Sequence, residues 1–247
     1  MSKPIQERGY PPRNALVSTD TVAAASAADS MVRVVDCSAN GSLHIPSAAR
    51  LSVVNDLYLA PGSQLVDAPT FATIVGNLEI SAYTLVALYS DDANFLAAHA
   101  YWVFSLFGHL QAALMDGGKT KWEKEGKPLS SDPFPFEMYG YQVTARDDAH
   151  LRATRADLET GRFQVVDTTG EGLANALSLS WRENVDPEDE TFKPADELRA
   201  IYVDRLGLKP EQDIIVTSAH TWFVLKNLLG FRSVRVLDDA KVLSTIA

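Results

Sequence analysis

The chain repeats itself over a long period. VRVVDC (32–37) is matched by FQVVDT (163–168), and FGHLQAALMD (107–116) is matched by LGFRSVRVLD (229–238). A duplication of this length calls for two units built alike, so whatever one half folds into constrains the other. Within each half, short Val- and Leu-rich runs alternate with longer amphipathic stretches, the pattern of strand–helix units that form a parallel sheet. The expected strands are VRVV (32–35), TLVAL (84–88) and ALM (113–115) in the first copy, and FQVV (163–166), DIIV (213–216) and VRVL (234–237) in the second. Helices are expected over 93–107 and 220–229, stopped by Gly108 and Gly230.

These landmarks divide the chain into a tail (1–14), a first domain (15–129), a linker (130–143) around SSDPFPFEMY, and a second domain (144–247). A hydrophobic content of 46% over 247 residues is enough for two cores. The net charge of -10 argues against nucleic-acid phosphate or an anionic membrane as partner. The one cysteine, Cys37, excludes an intramolecular disulfide and a multi-cysteine metal site. The five histidines show no paired metal-ligand spacing, so no metal or other cofactor is expected. MSKPIQERGYPPRN (1–14) has no signal-type apolar core, and no run approaches the roughly 20 apolar residues of a membrane span. A soluble, cytoplasmic protein with a loose N-terminal tail is expected; the oligomeric state stays open.

The two copies differ in one informative place. With Val86 set against Ile215 and Gly108 against Gly230, seven residues are missing from the second copy between the central strand and the following helix. The first copy keeps YSDDANF (89–95) there, whereas the second runs directly through Thr217, Ser218 and Ala219. In open α/β sheets this turn is where ligands and catalytic groups gather.

Several stretches together resemble a known family. LVSTD (16–20), HIPSA (44–48), DGGKTKWEKEG (116–126), DETFK (189–193) and SAHTWFVLKNLLGF (218–231) are similar to segments of tandem-domain rhodaneses of the thiosulfate sulfurtransferase group. The resemblance implies two tandem rhodanese-like α/β domains, each a small parallel sheet flanked by helices, with an interdomain cleft. It also implies a cysteine directly after the central strand of the second domain, in a loop whose inward N–H groups stabilise a thiolate and then a persulfide. This chain has no cysteine after Cys37, and the arginine-bearing loop is missing with it. Two flanking family segments are also replaced, by TTGEGLANA (168–176) and DDAK (238–241).

The leading expectation is therefore a rhodanese-fold protein without persulfide chemistry, its cleft binding a small non-sulfur molecule and acting on it by acid/base chemistry if it is an enzyme. A non-catalytic interaction or regulatory module and sulfur transfer from Cys37 are the alternatives. Cys37 follows a strand, but DCSANG (36–41) offers it an acidic neighbour and no arginine cradle, which favours a turn-filling role. Ser218 and His220 suggest a nucleophile–base pair, against the plainer reading of Ser218 as helix N-cap. Asp91 and Asp92, with Asn94, occupy the first-domain counterpart of the missing loop; adjacent carboxylates raise one another's pKa and so offer a general base, although acids before a helix also serve as caps. Trp181, Arg182 and Trp222 are candidate cavity-lining residues, set against the commoner role of tryptophan in cores.

Overall fold

In the computed structural model, residues 2–27, 32–39, 41–60, 64–133, 139–143 and 145–238 are described. The six expected strands are present, as are the two helices. The first sheet holds β1 (Leu16–Val17), β2 (Val32–Asp36), β3 (Ala49–Arg50), β4 (Leu85–Tyr89) and β5 (Ala112–Met115), in the order β1-β5-β4-β2-β3. The second holds β6 (Arg152–Ala153), β7 (Gln164–Asp167), β8 (Leu177–Ser178), β9 (Asp213–Val216) and β10 (Ser233–Leu237), in the order β6-β10-β9-β7-β8. The permutation is the same and every pairing is parallel. The central strands β4 and β9 are covered by helices, which is why they read as continuous apolar runs. Two tandem α/β units of the same topology, each a small parallel sheet flanked by helices, are thus in place, as the resemblance implies. Among the described residues no helix is long and apolar enough to cross a membrane.

Register refines the comparison of the copies. Val35 pairs with Leu88 and Val166 pairs with Val216, and each valine precedes the matched aspartate (Asp36, Asp167). Leu88 is therefore the equivalent of Val216, and the second copy is six residues shorter up to the stop glycine, one fewer than the seven expected from sequence.

The helix Phe95–Leu106 is buried on nearly every face, as expected of a helix that is apolar all round. It packs on the helix Ala219–Phe223, which continues as a π-helical stretch, Val224–Leu228. Tyr101 meets Phe223 edge-on at 5.0 Å, and one hydrophobic cluster runs through both units.

The N-terminal segment departs from the loose tail expected of it. Arg8 is 4% exposed and forms an ion pair with the buried Asp116 at 2.7 Å. Its Nη1 also donates to the Phe192 carbonyl at 2.8 Å, and Ala195 N donates to the Arg8 carbonyl at 2.8 Å. Tyr10 donates to the carbonyls of Phe192 and Lys193. The tail is an interdomain strap, because a buried guanidinium must find acceptors and these come from both units. In the linker, His44 and Ser130 exchange backbone hydrogen bonds, and His44 Nε2 bonds the Asp132 carbonyl at 2.8 Å. Residues 134–138 of the linker, and 144 and 239–247 of the second domain, including most of DDAK, lie outside the described residues.

Candidate functional site

The carboxyl ends of β4 and β9 face the same junction. After β4 the chain makes a loop with three consecutive left-handed residues, Asp92, Ala93 and Asn94, at φ 47°, 52° and 62°. Such conformations cost about 1–3 kcal/mol each for residues with a side chain and persist only where the surroundings hold them. Asn94, fully buried, supplies much of that hold: Oδ1 accepts from Ser90 N at 2.9 Å and Nδ2 donates to the Met115 carbonyl at 2.6 Å. Gly118 must be glycine here, since a Cβ would meet the Ser90 carbonyl at 2.5 Å and Asn94 Oδ1 at 2.7 Å. The second unit holds the rest, with Ala93 N donating to Glu190 at 2.9 Å and the Ala93 carbonyl accepting from His220 Nε2 at 3.1 Å.

After β9 the connection is two residues, Thr217 and Ser218. Ser218 caps the helix by accepting from Thr221 N at 3.2 Å, as its position suggests. Its hydroxyl also bonds Thr168 at 2.8 Å and Thr221 Oγ1 at 3.1 Å. Thr217 Oγ1 accepts from Thr168 N at 2.8 Å and Thr169 N at 3.2 Å, and donates to Asp167. The turn is closed on itself and buried, with Thr217 at 0% and Ser218 at 2% exposure.

His220 is fully buried. Asn184 Nδ2 donates to its Nδ1 at 3.1 Å, which leaves Nε2 to carry the proton toward Ala93. Tyr202 in turn donates to Asn184 Oδ1 at 2.5 Å. Phe95, Phe192 and Trp181 surround the imidazole at 6.4, 5.0 and 5.0 Å between centroids. Burial pulls the His220 pKa down to about 3, so the ring is neutral at any ordinary pH.

The Ser218–His220 pair is not assembled as a catalytic pair. No hydrogen bond joins the two side chains among the described residues, because the threonines hold the hydroxyl and Asn184 and Ala93 hold the ring. Asp92 and Arg182, both expected to line the cleft, form a half-exposed ion pair at 2.7 Å, with Arg182 lying over the Trp181 ring at 4.4 Å and Trp181 against Phe95 at 4.6 Å. Asp91 is half-buried; burial raises its pKa, and Asp36 and Asp92 add to the rise against the opposing Ala39 N–H and Lys119. Its own N–H donates to Ser38 Oγ at 3.2 Å.

Cys37 lies apart from this cluster, at the end of β2. It is 0% exposed, with its N–H bonded to the Tyr89 carbonyl at 2.8 Å. Burial, with Asp36 beside it, drives the thiol well above the ordinary cysteine range, against a smaller opposing effect of Arg50. That is the reverse of what a thiolate nucleophile needs. Trp222 faces away from His220; its Nε1 donates to the Val234 carbonyl at 3.1 Å. Sequence reasoning missed Asn184, Tyr202 and Glu190. Phe192 was legible only as part of DETFK.

Comparison with known proteins agrees with this architecture. No family model matches the chain. The sulfur carrier protein TtuD of Thermus thermophilus is 34% identical over a 271-residue alignment that covers 94% of each chain. A thiosulfate sulfurtransferase of Corynebacterium glutamicum is 31% identical over 80% of this chain and 75% of its own. Among solved structures, the 3-mercaptopyruvate sulfotransferase SseA of Escherichia coli superposes with a TM-score of 0.77 at 20% identity, covering 91% of this chain and 98% of its own. That last likeness speaks for the rhodanese fold, and the sequence relatives carry the assignment further. With a third of its residues shared along almost its whole length, the chain belongs to the rhodanese-fold thiosulfate sulfurtransferase family.

Proposed function

We propose that this protein is a rhodanese-fold binding protein that does not form a persulfide. The carrying observation is the β9 connection. Where the family resemblance places a cysteine in a loop of inward N–H groups, Thr217 and Ser218 are buried and hydrogen-bonded within their own unit, and His220 is held neutral behind them. A persulfide needs an accessible low-pKa sulfur and donors facing an anion. Neither is present at this position. A small non-sulfur molecule as ligand is the reading that fits a family member with its fold kept and its sulfur site closed.

A second reading is favoured by the names of the relatives, which are a sulfur carrier and a thiosulfate sulfurtransferase. Here sulfur transfer would fall to Cys37, the one thiol of the chain. The two readings separate in a thiosulfate:cyanide assay and a 3-mercaptopyruvate assay on the purified chain. The expected result is thiocyanate or sulfide formation at the rate of buffer alone, unchanged in Cys37→Ser. Turnover that disappears in Cys37→Ser establishes the second reading instead.

A further inference from the structure

A cavity of about 800 Å³ opens at the N-terminal ends of β4 and β5, whereas the His220 cluster lies beyond their carboxyl ends. It arises because β1 is only two residues long: it pairs with Leu114 and Met115, so Ala112 and Ala113 of β5 have no neighbour on that side. Helix residues Tyr101 and Trp222 form one wall, and Leu85 and Leu110, 47% and 82% exposed, lie at the lining's open side. The volume is that of a small-molecule site, and the lining is mostly apolar with a few polar groups.

The polar lining includes two cations, Arg13 and Lys226, beside a buried amide, Asn227. Asn227 lines the cavity and is 7% exposed, and its Nδ2 has no hydrogen-bond partner. A buried amide N–H₂ left unpaired is costly and rare, and here it needs an acceptor from the cavity side, within reach of a χ2 rotation. Arg13 lines the same cavity, and no side-chain partner for its guanidinium is found among the described residues. Lys226 donates to the Arg232 carbonyl at 2.6 Å. Burial lowers its pKa and Arg13 lowers it further, so the two cations repel each other, against an opposing attraction from Asp147. The acid on this lining, Asp147, is engaged by His150 at 2.7 Å.

We propose that this cavity binds a carboxylate-bearing apolar molecule, with its hydrocarbon body against Tyr101, Trp222, Leu85 and Leu110 and its carboxylate between Arg13 and Asn227. The inference rests on the reading of the protein as a binder, and names that binder's site and ligand class. An anion at this point satisfies the Asn227 amide and relieves the repulsion between Arg13 and Lys226.

The test is titration calorimetry of the full chain with octanoate and with 1-octanol, paired with the side-chain amide resonances of Asn227 by NMR. Octanoate is expected to bind saturably with a shift of the Asn227 amide pair. Asn227→Leu and Arg13→Gln each weaken it about tenfold, the loss of one charge-assisted hydrogen bond. 1-Octanol binds more weakly and is indifferent to Arg13→Gln. Asn227→Leu removes a buried unpaired group, so its thermal midpoint should equal or exceed that of the parent and folding does not confuse the result. No saturation with octanoate, or octanoate binding unaffected by both substitutions, overturns the proposal. If octanoate fails while thiosulfate leaves the protein unsulfurated, the site is wrong and the binder reading stands. If octanoate binds as described while Cys37 takes up sulfur, the site stands and the binder reading falls.

Discussion

Replacing Arg8 with methionine should lower the unfolding free energy by about 3–5 kcal/mol, the cost of leaving one member of a buried ion pair alone. Arg8 and Asp116 are each 3% exposed at the side chain and meet at 2.7 Å. Burial draws the Asp116 carboxyl up to about 6, against Arg8 and the Phe192 N–H, which both favour its charge. Without Arg8 the carboxylate keeps, among the described residues, the Phe192 N–H at 3.0 Å. The loss falls on the junction, because Phe192 belongs to the second unit and Asp116 to the first. Arg8→Met with Asp116→Leu should recover most of the stability, since replacing a whole buried pair by apolar groups is often neutral. Urea unfolding of the three variants reads this directly. A single Arg8→Met within 1 kcal/mol or so of the parent would mean the strap contributes no more than a surface pair does.

The second large effect is a response to acid. His220 is fully buried and His99 nearly so, and burial lowers their pKa values to about 3 and about 4 from an ordinary 6.5. In the unfolded chain both rings bind a proton below pH 6.5, but in the folded chain they do so only near pH 3–4. The unfolded state thus binds more protons across that window, and stability contributed by each neutral ring is present above pH 6.5 and lost as the pH falls. The slope is about 1.4 kcal/mol per pH unit for each histidine. Other buried groups titrate in the same range, Asp116 with the opposite sign, so the measurement is a difference between variants. The stability of the parent minus that of His99→Gln should fall by about 2 kcal/mol between pH 6.5 and 4.5, and His220→Gln should behave alike. A difference independent of pH would place a charged, solvated histidine at these positions.

The six central strands were legible because β-branched runs buried on both faces carry an unmistakable pattern. β1, β3, β6 and β8 were not, since two-residue pairings have no period to read. The duplication also located the shortened turn after β9, although strand register corrected the shortfall from seven to six. What fills that turn was not legible. Asn184 meets His220 across 36 positions and Ala93 meets it across 127, and only the packed chain brings them together. The same holds for Arg8: its sequence context is that of a polar tail, and its burial depends on acceptors 108 and 184 residues away. Asp92, Trp181, Arg182 and His220 lie at the junction of the two units, whereas Asp91 bonds Ser38 within the first. Trp222 lines the cavity on the other side, and Cys37 is fully buried at the end of β2.

The family fold is retained, the β9 turn is hydrogen-bonded within its own unit, and the first unit's left-handed loop meets the second unit's His220 and Trp181. On the reading proposed above, this closes the sulfur site. The most direct test is intact-mass spectrometry of the purified chain after exposure to thiosulfate and, separately, to 3-mercaptopyruvate. The mass should be unchanged by either donor. An added mass of one sulfur atom, carried on Cys37 and removed by cyanide, would contradict the account.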